Sequence, residues 1–543
     1  MVKYLSNENL GFKKRLKLIA KNNAFSLVHR LAIRRMKKIV QNSSPIKPKK
    51  NGKKIFFNLV YGMYGKLIYW EVGLAKALQV RGHNVKVLTC GKSLTMCTSE
   101  YTSRSVHNDK TCKHCIDFSK EFLDLIGIPN INFKDFISIE EFKKIQKKVK
   151  KLSIEECKKL IYKDVKVGIL STNSAIRYFE GDLNPEQEKF EKILRLELIN
   201  GIIVIDIAEK IVKTDKPDVI VTTHMGYSSW GGFVDYCSNH GVRICYSGDG
   251  YIENTIEFDI FNSERKENAF RKFFEKRNKK TLNNNEEKEI QKFIDDRIHG
   301  REGDTSLYGY ENENVKEQFD FKKYKKTFVC YPNVAWDSSL LDANTVFKSV
   351  YEWVSKTIEL FKDKPDYQLI IKIHPSEAYV AKSKNTVSDY IKSKFDPIPK
   401  NVKIIPPVTT ISPYSLFPFI DAGIVYNGTI GLEMAVQGVP VIVSGVAHYG
   451  KKGFTYDVSS KKEYEDILFK KLKPPTKKQI NLGRTYAYFY FLKSFVPYNL
   501  FYKNSFWDMG WNINSFDEMA EGNDKFLDII CKYIAYNGIY QNW

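Results

Sequence analysis

Two stretches of this 543-residue chain place phosphate-binding residue types where a fold can present them. In "YQLIIKIHPSEAYVAK" (367–382) an apolar run ends at His374-Pro375, with Lys372 just before it. A chain leaving a strand ladder needs no backbone N–H, so Pro375 marks the strand's end. His374 is then delivered beyond that end, where an imidazole can donate to a phosphate oxygen. Lys372 can add charge, although strand alternation can also turn it to solvent. In "DAGIVYNGTIGLEMAVQGVPVIVSG" (421–445) a strand stops at Asn427, the turn Gly428-Thr429-Ile430-Gly431 follows, and a short helix opens. A helix N-terminus offers free N–H groups to an anion. Gly428 and Gly431 permit close backbone approach, Thr429 adds a hydroxyl, and Glu433 can accept from ribose hydroxyls. An ordinary ligand-free turn reads the same way. Two anion-suited strand ends in one domain are harder to set aside.

A carboxylate or an imidazole carried past a strand end can accept a proton. "YSGDGYIE" (246–253) offers Asp249, before Gly250, at the end of an expected strand, and His224 follows another expected strand at 218–223. Asp249 capping a turn is the plain alternative. Gly62 and Gly65 in "VYGMYGK" make a loop suited to an acceptor or a diphosphate, but too loose for a dinucleotide fingerprint. Arg484, Tyr486 and Tyr488 in "GRTYAYFYF" either reach a cleft or pack. Cys90, Cys97, Cys112 and Cys115, with His107 and His114 nearby, could hold one structural zinc through four thiolates. The six-residue gap between the first pair is wide, and a redox pair or a chance grouping remains open.

The elements that position these residues read as two α/β series. The first runs strand 54–60, helix 67–80, strand 84–89, a Lys/Glu-rich helical insertion at about 116–215, strand 218–223, helix 230–239 and strand 242–247. The second runs strand 327–331, helix 344–361, strand 367–373, strands 402–405 and 422–426, helix 430–437 and strand 439–443. Parallel strands joined by crossover helices give Rossmann-like sheets, which bind ligands beyond the strands' carboxyl ends. We divide the chain into a basic leader (1–50), a first Rossmann-like domain (51–320), a second Rossmann-like domain (321–475) and a helical tail (476–543).

The net charge of +23 is concentrated in the leader, where residues 1–54 hold sixteen Lys/Arg against one acid, Glu8. With Leu16, Ile19, Leu27, Leu31 and Ile39 at helical intervals, the leader suits an anionic membrane surface or docking on its own domain. Outside it there is no basic platform interleaved with aromatics, which argues against nucleic acid. No stretch reaches about 18 uncharged apolar residues. The expected location is the cytoplasm, peripheral to the membrane's inner face. Nine cysteines without an export signal argue against a disulfide framework.

"IIKIHPSE", then "GIVYNGTIGLEMAVQGVPVIVSGVAHYGKKGFTYDV", with "YPNVAWDSSLL" and "SKKEYEDIL", resemble the bacterial capsule-polysaccharide synthesis glycosyltransferases, relatives of the capsular Kdo transferases. More remotely they are similar to the bacterial sialyltransferases with a His-Pro motif. The resemblance covers most of 327–470. It implies a GT-B fold, two Rossmann-like domains facing a cleft, with the donor held by the second and the acceptor by the first. His374 and Pro375 match the His-Pro motif that contacts the donor phosphate, Thr429 matches a phosphate-binding Ser/Thr, and Glu433 a position facing the nucleotide. It implies no catalytic metal, since protein donors stabilise the leaving phosphate. Asp249 stands where the second acid of an Asp/Glu-Asp/Glu-Gly motif would be, and Gly248 where the first would be. The expected activity is inverting sugar transfer from a nucleotide donor, CMP-activated acidic sugar first and UDP-sugar second, to a glycan or lipid-linked acceptor. The rivals are a UDP-sugar 2-epimerase, which needs acids in the cleft that the sequence does not display, and a non-catalytic membrane- or nucleic-acid-binding protein.

Overall fold

The computed structural model describes residues 30–46, 51–60, 65–97, 109–179, 186–250, 252, 254–258, 281–299, 301, 315–334, 346–379, 386–503 and 509–537. Within these, the apolar runs become two sheets. The first contains β1 (Lys54–Asn58), β2 (Asn84–Thr89), β3 (Asn130–Asn132), β4 (Val219–Thr222), β5 (Arg243–Asp249) and β6 (Thr255–Phe258). The second contains β7 (Lys326–Tyr331), β8 (Tyr367–Lys372), β9 (Val402–Ile405), β10 (Ala422–Val425), β11 (Val441–Val443) and β12 (Tyr456–Asp457). Three further strands, β13 (Phe495–Pro497), β14 (Phe501–Lys503) and β15 (Met509–Trp511), lie in the tail.

The first sheet runs β13-β6-β5-β4-β1-β2-β3 and the second β12-β11-β10-β7-β8-β9. Both follow the doubly wound pattern, in which strand order reverses between the first and fourth strands of the unit and leaves a crevice there. In the first sheet that point lies between β1 and β4, and in the second between β7 and β10. Their strands are apolar on both sides because both faces are covered. Ile55 and Phe57 of β1 enter one core with helix 65–80, while Phe56 enters another with helix 187–214. In the second sheet Ile370 and Ile371 divide in the same way.

Two departures from the sequence reading have physical causes, and in two further places the structure selects one of the readings the sequence left open. The region around 116–215 is not purely helical: it contributes β3, which pairs in parallel with β2 and extends the first sheet. Three residues are too few to show a period. Helix 284–298, assigned to the first domain by a boundary near Phe321, buries Ile290, Phe293 and Ile294 with Val329 and Val425 of the second sheet's core. Its sequence is charge-dense because it keeps one narrow apolar stripe. The tail returns to the first sheet: after helix 477–488, β13 pairs antiparallel with β6, and helix 525–536 adds Leu527, Ile530 and Ile534 to the core beneath helix 65–80. Finally, the described part of the leader, helix 30–41, is docked on its own domain. Ala32, Ile33, Met36 and Ile39 are buried, while Arg30, Arg34, Arg35, Lys37 and Lys38 face outward. Leu16, Ile19 and Leu27 lie outside the described residues.

Candidate active site

At the second sheet's crevice the ladder puts three polar residues in one row. Tyr331 is opposite Val425 and Cys330 is opposite Ile371. Continuing both registers by two or three residues places Asn333, past β7, between Asn427, past β10, and His374, past β8. The Asn427 N–H points at Asn333 Oδ1 at 3.5 Å, and a Cβ placed on Gly428 would lie 3.8 Å from the same oxygen. The Asn427 side-chain Oδ1 is buried without a hydrogen-bond partner among the described residues. A buried amide oxygen in that state costs about 1–3 kcal/mol and suits a site completed by a ligand's donor.

His374 is partly exposed, and its Nδ1 accepts the Ser376 N–H at 3.1 Å. That bond fixes the neutral ring's proton on Nε2, leaving Nε2–H as the donor. Pro375 is buried behind it and opens the turn to Ser376–Tyr379, where Glu377 accepts the Val387 N–H at 3.1 Å. Glu377 thus holds the segment behind His374 against helix 387–394.

Of the other predicted donor-side residues, Gly431, Glu433 and Lys372 are redirected. Thr429 and Ile430 are partly exposed at the start of helix 430–436, which at seven residues adds little dipole of its own. Gly431 is required by packing instead of ligand approach, since a Cβ there would lie 2.1 Å from Tyr449 Oη, whose hydroxyl donates to the Gly428 carbonyl at 2.6 Å. Glu433 does not face a ribose. It is 2% exposed, its Oε1 accepts Arg297 Nε–H at 2.8 Å and its Oε2 accepts the Tyr414 hydroxyl at 2.9 Å. Lys372 does not turn to solvent: it is 3% exposed on the face of β8 shared with Ile370, and burial pulls its ammonium down to about 8.

The first sheet's crevice is also polar. Register aligns Asn58, Thr222 and Tyr246 across β1, β4 and β5. Asn58 is fully buried, with neither amide atom bonded among the described residues. His224 leaves β4 against Trp230, ring centroids 4.7 Å apart. Burial pushes its imidazole down to about 4; the nearby Arg177 pushes the same way and Asp249 opposes them. A neutral imidazole at working pH can take a proton, although its lowered basicity makes His224 the weaker candidate. Asp249 is exposed at the end of β5, its backbone opposite Ile256 of β6.

The structure adds two acids that the sequence did not reveal. Glu257 of β6 faces Gly248, and burial with the charge of Asp249 holds its carboxyl well above the usual carboxylate range. Glu71, on helix 65–80, is 1% exposed and is pushed up to about 8 by burial; the Thr223 hydroxyl is the neighbour that opposes this, without reaching good hydrogen-bond geometry.

Gly65 opens helix 65–80, and Gly62 lies outside the described residues. Arg484 bonds Glu287 at 2.6 Å and Tyr488 bonds Glu289 at 3.1 Å, both on helix 284–298, while Tyr486 is buried against His448. All three pack. Cys90 sits at the end of β2, Cys97 in the loop beyond it, and Cys112 and Cys115 one turn apart on helix 109–126. Among the described residues no three His, Cys, Asp or Glu side chains converge to hold a metal; His107 lies outside them. None of the described helices is long and apolar enough to cross a membrane.

Of the residues missed, Asn333 had a signal in "CYPNVAW", where a proline follows an apolar run as in "IKIHPSE". Asn58 showed itself as an amide inside "IFFNLV". Glu257 had none, because β6 is short and follows no crossover helix.

Residues 277–486 match the family model of capsule polysaccharide biosynthesis proteins. Among solved structures, the chain is similar to a KpsC β-Kdo 2,7 transferase of Thermosulfurimonas dismutans, at 15% identity and a TM-score of 0.31 over 51% of this chain and 79% of that one. A KpsC β-Kdo 2,4 transferase of the same organism aligns at 15% and 0.34, over 50% and 79%. A UDP-GlcNAc 2-epimerase of Neisseria meningitidis aligns at 11% and 0.26, over 81% and 98%. No curated protein matches the sequence.

Proposed function

We propose that this chain is a glycosyltransferase of surface-polysaccharide synthesis that takes its sugar from a nucleotide donor. The observation that carries this reading is the Asn333–Asn427 contact with its buried amide oxygen unbonded among the described residues, beside the strand end that carries His374, inside the segment that matches the capsule family. His374 Nε2–H, the Asn333 amide and the Thr429 hydroxyl are suited to hold the donor's phosphate and to stabilise it as it leaves. Asp249 would take the acceptor hydroxyl's proton while that oxygen attacks the anomeric carbon on the face opposite the departing nucleotide, giving inversion. No metal enters this scheme. A CMP-activated ulosonic acid is the first donor to test and a UDP-sugar the second. The acceptor is a glycan or lipid-linked glycan, and the outward cations of helix 30–41 would favour an anionic membrane surface.

Nucleotide binding tests the donor half. Titration with CMP, UDP and GDP should give saturable heat with at least one, and Thr429→Val should weaken it by about tenfold, the worth of one good hydrogen bond to a charged group. Heat from none of the three would end the reading. Glu71 and Glu257 also keep a UDP-sugar 2-epimerase in view, because they could supply the acids that reaction needs. Conversion of UDP-N-acetylglucosamine to its 2-epimer without an acceptor would select it.

A further inference from the structure

Helix 139–150 turns a row of lysines outward. Ile145 and Val149 bury one side of it in the core that holds helix 187–214, while Lys143, Lys144, Lys147, Lys148, Lys150 and the capping Lys151 are exposed. At 3.6 residues per turn these lysines all fall on the side opposite Ile145 and Val149. Neighbouring lysines are taken up by carboxylates: Lys158 pairs with Glu155, Lys163 with Asp206 and Glu209, and Lys210 with Glu141. The lysines of the row have no ion pair among the described residues; Lys148 lies over the Tyr162 ring at 4.6 Å. Glu140 is the one exposed acid of this helix. The row lies outside the segment 277–486 that matches the capsule family, so it is a feature of this chain.

The row also has a direction. Arg195 of helix 187–214 donates to the Val149 and Leu152 carbonyls at 2.6 and 2.8 Å, and Lys210 donates to Glu141 at 2.7 Å, so the two helices run antiparallel. Beside Arg195, the Leu196 carbonyl accepts the Thr95 hydroxyl and Asn200 Oδ1 accepts the Thr95 N–H, both at 2.7 Å, in the loop past the carboxyl end of β2. Lys150 and Lys151 therefore stand at the edge of the first sheet on which its crevice opens, and the row leads away from that edge over the helix's 12 residues, about 18 Å. The outward cations of helix 30–41 lie on the other layer: Met36 and Ile39 share a core with Phe57, whereas Ile145 and Val149 share one with Phe56, on the opposite face of β1. A bilayer lying on one of these helices cannot lie on the other.

We propose that the outer face of helix 139–150 binds an acidic polysaccharide, holding the acceptor chain that leads away from the first crevice by pairs between its carboxylates and the lysines. A linear chain of single negative charges matches a row of single positive ones. Lysine meets a carboxylate as a mobile point charge, without the fixed fork of arginine, so the chain can advance along the row. The identity of the polymer rests on the glycosyltransferase reading, since transfer of an ulosonic acid adds a carboxylate with each sugar; the binding of a polyanion does not.

Fluorescence anisotropy with labelled polysialic acid, and with dextran as the uncharged control, tests the surface without any donor. The wild type should bind polysialic acid and not dextran, and should lose at least about tenfold in affinity between about 0.05 and about 0.5 M NaCl. Combining Lys143→Gln, Lys147→Gln and Lys151→Gln should weaken binding by at least about tenfold with the melting temperature unchanged. Combining Lys143→Arg, Lys147→Arg and Lys151→Arg should keep it, because the charge is retained. No binding by the wild type, or equal binding by the Gln variant, would overturn the proposal. So would a Gln variant that keeps the polymer but loses vesicles rich in phosphatidylserine, which would make the row a lipid surface. With CMP-Kdo as donor, the ratio of kcat/KM for a long acidic acceptor to that for a single-sugar acceptor should fall by at least about tenfold in the Gln variant. An unchanged ratio would refute the acceptor role. If the wild type turns over neither CMP-Kdo nor UDP-N-acetylglucosamine, the glycosyltransferase reading fails, and the anisotropy still decides whether the row binds a polyanion.

Discussion

At the scale of single residues, the chain's most informative side chains are buried polar groups without a partner among the described residues. Asn427 Oδ1 and both amide atoms of Asn58 are buried at the two crevices, and a folded protein tolerates such groups mainly where something else completes them. Asn333→Ala should lower nucleotide affinity by about tenfold, roughly 1.4 kcal/mol, with little change in melting temperature. Calorimetry with the nucleotide found to bind checks this; a large stability loss with affinity unchanged would make Asn333 a packing residue. The sequence displayed His374, Thr429 and Asn427 because each interrupts or ends an apolar run. Glu433 misled for an instructive reason. One turn into a short helix, a glutamate can face a crevice or a core, and only its partner decides; Arg297 stands 136 positions earlier on a helix assigned to the other domain.

At the scale of elements, that pair joins helix 284–298 to helix 430–436, the helix that follows the Gly428-Thr429 turn. Both partners are nearly fully buried, at 5% and 2% side-chain exposure. Arg297→Ala leaves the Glu433 carboxylate buried with Tyr414 as its remaining partner among the described residues, and should cost about 3–5 kcal/mol in urea unfolding. Arg297→Met with Glu433→Leu should recover much of that loss, because it removes both charges. If Arg297→Ala costs less than about 1 kcal/mol, the pair does not hold this helix. Strands buried on both faces were legible as apolar runs, and the helices between them as crossovers. β3, β6 and β13 were not: each has three or four residues, and such strands are defined by their partners and not by an internal period.

At the scale of the whole molecule, both termini help build the first unit. Helix 30–41 and helix 525–536 share one core with helix 65–80, and the tail crosses from the second unit to the first on its way there. Met36→Ala should therefore destabilise that unit by about 2–5 kcal/mol, as buried methionine truncations do. A purely membrane-directed leader predicts no loss, and thermal melts separate the two. Charge reversal at the outward Arg34, Lys37 and Lys38 should leave melting unchanged and weaken binding to vesicles rich in phosphatidylserine. Retained vesicle binding would place any membrane contact elsewhere. The leader's amphipathic pattern was readable, but the same pattern serves a lipid surface and a protein core, so its destination was not.

The central claim is that His374 meets the phosphate of a nucleotide sugar during transfer. The direct measurement is nucleotide release from CMP-Kdo and UDP-sugars, with and without glycan acceptor, for the wild type and His374→Ala. The account predicts acceptor-dependent release from at least one donor, reduced by about 10²-fold in kcat in the variant, whose melting temperature stays near that of the wild type. Release by a folded His374→Ala protein at the wild-type rate would contradict it.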